Sequence, residues 1–346
     1  DTVIFGNVLQ AGLGQNPARQ VGLGAGLNHA STAVTINEVC GSGLKAIISA
    51  AQVLRLGDAK IVLAGGMENM SLAPHLLQQR FAPKNGPVTL VDSLFNDGLT
   101  DAYSQDAMGI TAENIVEKYG FTREEQDAFA VASQQKAAKA QEEGRFANEI
   151  TPVAVFNRKT KSDDLKATDE FIRPNTTLES LAGLKPAFKK DGTVTAGNAS
   201  GINDGAACVI MTTREYATEL GLPILATLKG YAEAGVDPSI MGIGPVPAIQ
   251  KLVARTRIPL EKVDVFELNE AFAAQSMAVI KDLKIPTEKV NPFGGAIALG
   301  HPIGASGTRI VVTLINALEQ LDGKIGVASL CVGGGMGVAI AIEREK

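Results

Sequence analysis

Two cysteines and one histidine in this sequence lie in glycine-rich segments whose composition suits catalysis. Cys40 lies in the run 39–46, His301 lies in the glycine-rich run 294–307, and Cys331 is followed by Val-Gly-Gly-Gly. A cysteine nucleophile needs a base to accept its proton and donors for the oxyanion that forms when a carbonyl is attacked. The three segments together contain candidates for all of these parts.

A base is required because the predicted position of Cys40, at a helix N-terminus, does not suffice to ionise it. Lowering a thiol pKa from about 8.5 to about 7 takes roughly 2 kcal/mol. A helix terminus supplies about 0.3–1 kcal/mol and reaches about 2 only in favourable geometry. His301 is the best candidate base, since His29 and His75 lack a matching glycine turn and are interpreted as surface or packing residues.

The second thiol indicates a reaction with two separate roles. Two thiols around one histidine are too many for a simple hydrolase, but they suit one nucleophile and one proton-transfer group. Cys208 lies in an apolar run, 206–211, and is interpreted as a small core residue of a strand.

The first seventy residues alternate predicted strands and helices. The predicted elements are a strand at 2–5, a helix from Pro17, a strand at 34–39, a helix from Gly43 that ends at Gly57, and a strand at 60–64. A strand, a tight glycine turn and a helix would lift Cys40 out of the top of a sheet.

The pattern changes between residues 71 and 200, which read as an insertion. A helix is predicted from Thr111 to Gly120, and a capping box at Thr122 predicts a second helix that runs to about Gly144. The polar composition of this second helix indicates an exposed position. Strand character returns at 206–211.

The last third repeats the order of the first. The run 264–269 resembles 1–6, His301 follows Asp264 by 37 residues where Cys40 follows Asp1 by 39, a helix is predicted from Ser306 to about Leu321, and a strand follows at 324–327. We interpret this as an internal duplication of α/β units. Parallel strands would place Cys40 and His301 at carboxyl ends of strands, where α/β sites form.

Composition excludes several other functions. A net charge of −5 without a basic stripe argues against nucleic acid as a partner. Three scattered cysteines indicate neither a disulfide framework nor a metal site and favour a reducing compartment. No apolar run is expected to approach the roughly 20 residues of a membrane span. The abrupt start at Asp1 leads us to expect that N-terminal residues are missing.

Five segments resemble the active-site blocks and the Gly-Gly-Met-Glu signature of thiolases. They are 38–43, 65–71, 269–273, 294–302 and 331–335, and they span nearly the whole chain in the family's order. Within the family, the chain is most similar to the biosynthetic acetyl-CoA acetyltransferases of lipid metabolism, which condense two acetyl-CoA to acetoacetyl-CoA and CoA.

The resemblance implies a fold and a division of the chain. The fold would consist of duplicated α/β/α layers with an inserted loop domain. Residues 1–70 and 201–222 would form the N-terminal half, 71–200 the loop domain that binds CoA, and 223–346 the C-terminal half. Family members open with an earlier strand and helix, which this chain is expected to lack.

The resemblance also assigns catalytic roles. Cys40 would take the acetyl group with His301 as its base, and Cys331 would deprotonate the second acetyl-CoA. Asn269 and His301 would stabilise the thioester oxygen, Asn269 through a water. The N–H groups of Cys40 and Gly333 would form a second oxyanion hole. No metal or cofactor is implied, because CoA thioesters are the substrates.

CoA would lie against the insertion. The resemblance places Ser200 and Ala196 at the pantetheine and Arg173 at the nucleotide end. It lines the acyl tunnel with four apolar residues, namely Leu99, Met108, Phe188 and Phe272. Ala107 departs from the family pattern, since bacterial relatives carry a histidine there, and this leaves the acyl-chain preference open.

Several alternatives remain at this point. A degradative 3-ketoacyl-CoA thiolase would use the same residues in the cleavage direction, and a β-ketoacyl synthase would share the fold but lack a catalytic cysteine at 331. A non-catalytic acyl-CoA or lipid-binding protein belongs to another class, and a papain-like hydrolase is disfavoured by the glycine setting of His301. We expect a cytoplasmic homotetramer, assembled through the insertion, that binds neither membrane nor nucleic acid.

Overall fold

The structure, a computed structural model, describes residues 1–77, 80–81 and 85–345. The strands within these residues are β1 Thr2–Gly6, β2 Thr32–Ile36, β3 Ile61–Asn69, β4 His75–Leu76, β5 Val91–Asp92, β6 Val153–Asn157, β7 Ser162–Lys166, β8 Asp204–Thr212, β9 Ala226–Gly235, β10 Val265–Leu268, β11 Ile325–Val332 and β12 Met336–Arg344.

The α-helices are α1 Pro17–Gly24, α2 Ser42–Leu56, α3 Met108–Tyr119, α4 Arg123–Glu142, α5 Leu178–Ala182, α6 Arg214–Glu219, α7 Pro245–Thr256, α8 Ala273–Leu283, α9 Ala296–Leu299 and α10 Ile303–Gln320. A π-helical turn covers Leu94–Leu99, and 3₁₀ turns cover Pro238–Ile243, Leu260–Lys262 and Thr287–Lys289. The helices predicted from Thr111 and Ser306 therefore each begin three residues earlier than expected.

Two four-stranded sheets repeat one pattern. The first has the order β2-β1-β3-β8, and the second has the order β10-β11-β12-β9. β1 runs parallel to β3, which runs antiparallel to β8; likewise β10 runs parallel to β11, which runs antiparallel to β12. The duplicated α/β fold predicted from the sequence is confirmed.

An aspartate carboxylate at the start of each repeat accepts the same pair of backbone hydrogen bonds. Asp1 Oδ2 accepts hydrogen bonds from the backbone N–H groups of Lys60 and Ile61 at 2.8 and 3.2 Å. Asp264 Oδ2 accepts from those of Lys324 and Ile325 at 2.7 and 2.9 Å. Each aspartate thus ties the first strand of its repeat to the start of the neighbouring parallel strand.

The helices form layers around the sheets. α2 and α10 lie side by side between the two sheets, α1 packs on the outer face of β1 and β2, and α7 packs on β9 and β12. Fully buried residues of α2 and α10, such as Leu44, Ile48, Ile310 and Leu314, fill the space between the sheets. The central layer therefore holds both helices that follow the predicted catalytic turns.

α2 and α10 approach each other through two glycines. A Cβ added to Gly43 would lie 2.7 Å from the backbone nitrogen of Thr308, and a Cβ added to Gly307 would lie even closer to that of Leu44. Real Cβ atoms do not approach backbone atoms so closely. The helix starts can pack backbone to backbone only because both positions are glycine.

One apolar segment contradicts the expectation about membrane-length runs. Val39–Leu56 has a mean hydropathy of 1.2 and is long and apolar enough to pass a test for a membrane span. The segment is α2 with its preceding turn, and 61% of it is buried within the protein. Its apolar character matches its place in the central layer.

The interpretation of Cys208 as a core residue is wrong. Cys208 is exposed, and Ile210, on the same face of β8, is 71% exposed. α2 and α10 pack against the other face of β8, where Val209 contacts the core, and this leaves Cys208 and Ile210 on the uncovered face. An apolar run predicts a strand but cannot tell which faces of that strand are covered.

The expectation of an exposed α4 is only half right. The predicted capping box is present, because Thr122 Oγ1 accepts from Glu125 N at 3.1 Å and Thr122 N donates to Glu125 Oε2 at 2.8 Å. One face of α4, however, is buried through Ala130, Gln134 and Ala137, among others. Alanines and hydrogen-bonded polar groups let this face pack without large apolar side chains.

The segment between β3 and β8 contains β4–β7 and α3–α5. β3 ends at Asn69 and β8 begins at Asp204, and both strands belong to the first sheet. The division of the chain into 1–70 with 201–222, 71–200 and 223–346 stays a prediction.

Candidate active site

Cys40 lies in a strained turn between β2 and α2. Val39 has a φ of 46°, a left-handed conformation that a β-branched residue rarely adopts and that costs about 1–3 kcal/mol. Ser42 Oγ donates to Val39 O at 2.7 Å and accepts from Glu38 N at 2.8 Å, and Asn37 Oδ1 accepts from Val39 N at 2.9 Å. These side-chain hydrogen bonds hold the turn and fix the position of the thiol.

The turn differs from the predicted one in two respects. β2 ends at Ile36 instead of continuing to Val39, so a short loop carries Cys40. The glycines do not supply the left-handed conformation, because Gly41 has a φ of −77°. A Cβ on Gly41 would lie 2.9 Å from Val332 Cγ2. Gly41, like Gly43, is thus needed for close approach of the C-terminal repeat.

The surroundings of Cys40 favour the neutral thiol. Burial raises the pKa of Cys40 to about 11, with a smaller contribution in the same direction from the negative charge of Glu68. Hydrogen bonds from the backbone N–H groups of Gly333 and Cys40 itself act in the opposite direction. The thiolate therefore needs a base in order to form, and two N–H donors already point at the sulfur position.

His301 is held in one tautomer by its neighbours. Its Nδ1 lies 2.5 Å from Ser306 Oγ, and that hydroxyl donates its hydrogen to Pro302 O at 2.9 Å. Because the serine hydrogen is already used, Nδ1 carries the ring proton and donates it to Oγ. Nε2, which lies 3.4 Å from Asn269 Nδ2, is then the unprotonated nitrogen.

The electrostatic setting keeps the imidazole neutral. His301 is buried, and burial lowers its pKa to about 4, with the positive charge of Arg309 acting in the same direction. A neutral imidazole with a free Nε2 can accept a proton near neutral pH. His301 thus has the protonation state of a base rather than of an acid.

Cys331 is fully buried near the end of β11. Burial raises its pKa well above the usual range, and the nearby Cys40 raises it further. The following loop, which reverses the chain into β12, has positive φ at Gly334 and Gly335, 85° and 87°. The structure therefore brings Cys40, Gly333 and Cys331 together at one point.

Three of the predicted tunnel residues lie around the two thiols. Leu99 packs against the apolar cluster that contains Cys40, and Met108 and Phe272 belong to the cluster that contains Cys331. Phe188 meets the ring of Phe272 edge to face, with ring centres 6.1 Å apart. Met108 and Phe272 thus lie in the cluster of Cys331, with Phe188 against Phe272, whereas Leu99 lies beside the cluster of Cys40.

The predicted CoA contacts lie further out. Arg173 and Ala196 both line a groove of about 340 Å³ on the surface of the insertion. The guanidinium of Arg173 lies 5.4 Å from the ring centre of Phe171. Ser200 donates its backbone N–H to Ala271 O at 3.0 Å, next to Phe272. The segment 196–200 therefore lines the groove at Ala196 and contacts Ala271 at Ser200. Ala271 precedes Phe272, which packs in the cluster of Cys331.

Sequence reasoning missed two buried carboxylates and a serine. Glu68 accepts hydrogen bonds from the backbone N–H groups of Val8, Leu9 and Gly304 at 2.9–3.1 Å, and from Asn7 Nδ2 at 2.9 Å. It therefore links the end of β3 to the segment after β1 and to the first turn of α10.

Glu270 holds the loop before His301 in a similar way. It accepts from Ser133 Oγ at 2.6 Å, Asn291 Nδ2 at 2.8 Å and Ile297 N at 3.2 Å. Glu68, Glu270 and Ser306 all lie in or beside segments singled out for their glycines. A charged or hydroxyl side chain in such an apolar, glycine-rich run is the signal that could have identified them.

Family descriptions match almost the entire chain. "Thiolase, N-terminal domain" matches residues 1–215, and "Thiolase, C-terminal domain" matches residues 222–344.

The chain also resembles characterised proteins over its full length. An acetyl-CoA acetyltransferase of Cupriavidus necator is 56% identical over 344 residues, which cover 99% of this chain and 87% of that protein. The crystal structure of the Bacillus anthracis acetyl-CoA acetyltransferase has a TM-score of 0.96 at 47% identity, and that of human mitochondrial 3-ketoacyl-CoA thiolase has 0.96 at 44%. Each alignment covers 100% of this chain and 87% of the other.

Proposed function

This chain belongs to the thiolase family, and from that premise we propose that it catalyses the reversible condensation of two acetyl-CoA molecules to acetoacetyl-CoA and CoA. One observation carries the residue assignment. The sulfur of Cys40 faces the backbone N–H groups of Gly333 and Cys40, with the second thiol, Cys331, beside it. These neighbours would supply a nucleophile, an oxyanion site and a second proton-transfer group at one point.

In the first half-reaction, Cys40 would be acetylated. Nε2 of His301 accepts the thiol proton while the sulfur attacks the carbonyl carbon of acetyl-CoA. The tetrahedral intermediate collapses, its bond to the CoA sulfur breaks, and the departing CoA thiolate takes the proton of Cys331. The acetyl-enzyme then carries a protonated His301 and a Cys331 thiolate.

In the second half-reaction, the Cys331 thiolate would remove a proton from the methyl group of another acetyl-CoA. The raised pKa of Cys331 supports this role, because a thiolate with a high pKa is a stronger base. The enolate carbon attacks the acetyl carbon on Cys40 and displaces the Cys40 sulfur, which recovers its proton from His301. Acetoacetyl-CoA leaves, and both thiols return to their starting state.

Two groups of donors support the charges that develop on oxygen. The N–H groups of Cys40 and Gly333 would stabilise the oxyanion formed at the acetyl carbon on Cys40. Asn269 and protonated His301, whose side chains lie 3.4 Å apart, would stabilise the oxygen of the enolising thioester. Donors fixed before the reaction stabilise developing charge without reorganisation.

CoA would bind along the insertion. The groove lined by Arg173 and Ala196 would take the nucleotide and pantetheine portions, with Ser200 nearer the thiols. Leu99, Met108, Phe188 and Phe272 would surround the acyl end. CoA thioesters are substrates in this scheme, and no metal or additional cofactor takes part.

Cleavage of longer 3-ketoacyl-CoA is the second candidate activity. The human mitochondrial 3-ketoacyl-CoA thiolase has the same TM-score as the Bacillus anthracis acetyltransferase, so the fold does not separate the two. Between these two structures the identity is 47% for the acetyltransferase and 44% for the human thiolase, and the Cupriavidus necator protein that is 56% identical is also an acetyl-CoA acetyltransferase. Rates of CoA-dependent cleavage of acetoacetyl-CoA and 3-ketohexadecanoyl-CoA would distinguish them.

Assembly and location are further parts of the proposal. We propose a homotetramer assembled through the insertion, which exposes large apolar side chains such as Leu72, Leu77 and Leu90. We also propose a cytoplasmic location, because all three cysteines are unpaired, as expected in a reducing compartment. Light scattering would test the first statement, and fractionation of the source cells would test the second.

Intact mass after brief incubation with acetyl-CoA tests the proposed chemistry. The protein should gain one acetyl group, and Cys40→Ser should gain none under the same conditions. Cys208→Ser is the matched control, since Cys208 is exposed and lies outside the site. If the protein binds CoA but neither it nor the control gains an acetyl group, the non-catalytic acyl-CoA-binding alternative replaces the enzyme.

A further inference from the structure

A buried pair of opposite charges lies outside the groups used in the proposed reaction. Glu267 on β10 is 1% exposed, and neither of its carboxylate oxygens accepts a hydrogen bond from a described residue. Arg309 on α10 places Nη1 3.7 Å from Glu267 Oε2, and both terminal nitrogens are buried without an acceptor among those residues. Each group is therefore the other's nearest charge partner.

The pair joins the two elements that contact the imidazole. Glu267 lies two residues before Asn269, whose Nδ2 lies 3.4 Å from Nε2 of His301. Arg309 lies three residues after Ser306, on the same helical face, and Ser306 Oγ lies 2.5 Å from Nδ1. The side chains that contact the two ring nitrogens of His301 therefore come from the end of β10 and from α10. The Glu267–Arg309 pair connects these two elements.

We propose that Glu267 and Arg309 are positioning residues for His301, which hold β10 against α10 and thereby keep the imidazole between Asn269 and Ser306. The inference rests on the role of His301 in the proposed function. Neither residue touches the CoA groove, so the pair would act on catalysis through the base rather than through substrate binding.

The charges around the pair support this assignment. Lys136 on α4, Glu149 in the segment after α4, Asp169 in the segment before α5 and Glu270 after β10 also face this region. Burial raises the pKa of Glu267, and the positive charge of Arg309 is the largest influence that lowers it. Arg309 therefore stabilises the carboxylate, and its charge also favours neutral His301.

The sequence permits a direct test that does not need activity. It contains three histidines, and His29 and His75 are exposed, so the ring signal of buried His301 can be assigned with His301→Asn. Selective ¹³C labelling of histidine then gives the pH at which His301 is half protonated. A role limited to stability would loosen the fold without moving this midpoint.

Three single variants distinguish the effect of the charges on the pair from the effect of side-chain shape. In Arg309→Met the His301 midpoint should rise by about one pH unit, because a neighbouring charge shifts a pKa by about that much or more. Arg309→Lys keeps the charge and should stay within about 0.3 unit of the parent protein. Glu267→Gln should lower kcat for acetyl transfer by roughly 10- to 100-fold, with KM for acetyl-CoA changed less than about twofold, because misplacement of a catalytic group costs this much.

A double variant keeps the test decisive if Glu267→Gln does not fold. Breaking a buried pair leaves one charge unpaired, whereas replacing both members is often tolerated. Glu267→Gln/Arg309→Met should therefore fold and retain the raised His301 midpoint. The proposal is overturned if the folded Glu267→Gln variant or the folded double variant keeps the parent kcat, whatever the His301 midpoint does, because loss of the Arg309 charge alone moves the midpoint. Acetylation of the parent protein tests the proposed function separately, since the midpoint is measured without substrate.

Discussion

The two repeats share a framework but carry different chemistry at their strand ends. Asp1 and Asp264 make the same pair of backbone hydrogen bonds, and Gly43 and Gly307 make the same close contact between α2 and α10. The first repeat presents Cys40, whereas the second presents His301, Asn269 and Cys331. The shared framework brings Cys40 of the first repeat beside Cys331 of the second, while the loops supply different side chains.

The turns before the two central helices show the difference most clearly. Ser42 and Ser306 each lie near the start of a helix and bond to a carbonyl of the preceding turn. Ser42 also accepts from Glu38 N and so braces a strained backbone, whereas Ser306 accepts from the imidazole and so fixes a tautomer. One serine therefore shapes the backbone at Cys40 in the first repeat, and the other orients His301 in the second.

The largest expected effect separates the two thiols. Cys331→Ala should lower the condensation rate by about 10²- to 10⁴-fold, because it removes the placed proton-transfer group. Acetylation of Cys40 should still occur, and mass spectrometry would detect it. Equal loss of acetylation in Cys331→Ala and Cys40→Ser would show that the two repeats do not divide the roles as proposed.

The next largest effect is the pH dependence of stability that arises from His301. The folded protein holds His301 neutral with a pKa of about 4, against 6.5 for the free side chain, so the unfolded chain binds more protons between these values. Stability should therefore fall as pH drops from 6.5 to 4, with this group contributing about 3 kcal/mol. Melting temperatures followed by circular dichroism would check this. His301→Asn should show a shallower decline, and His75→Asn, at an exposed position, should match the parent.

The shared helix contact predicts a smaller loss of stability. Gly43→Ala and Gly307→Ala would each press a Cβ into the backbone of the opposite helix and should cost about 1–3 kcal/mol. Gly24→Ala is the control, because nothing lies within 4 Å of its Cβ position and its φ is not positive. Urea unfolding would measure all three variants. A neutral result at only one of the two contacts would show that the repeats do not use the glycines equivalently.

The smallest expected effect concerns the repeated aspartates. Asp264→Asn weakens two backbone hydrogen bonds to a charged acceptor at an exposed position and should cost about 1 kcal/mol. Asp1→Asn should lower the free energy of unfolding by a similar amount if the backbone hydrogen bonds of Asp1 and Asp264 are equivalent. Thermal unfolding of both variants beside Asp58→Asn, an exposed aspartate shortly before β3, would reveal any difference.

Local signals in the sequence determined the order of elements and the catalytic residue types. Alternation of apolar runs, the capping box at Thr122 and the glycine after α2 predicted strands and helices that are present. The resemblance to thiolases also named the family to which the chain belongs. These features could be read from the sequence because they depend on residues that are close neighbours along the chain.

Only the tertiary structure decided how the parts meet. The donors to Glu68 and Glu270, the contact between Asn269 and His301, and the exposure of Cys208 all depend on residues far apart in sequence. A hydrogen bond or a covered strand face depends on where its partner lies in the folded chain. The composition of a segment does not give that position. The sequence determined which groups could react, and the packing of two repeats determined their geometry and charge.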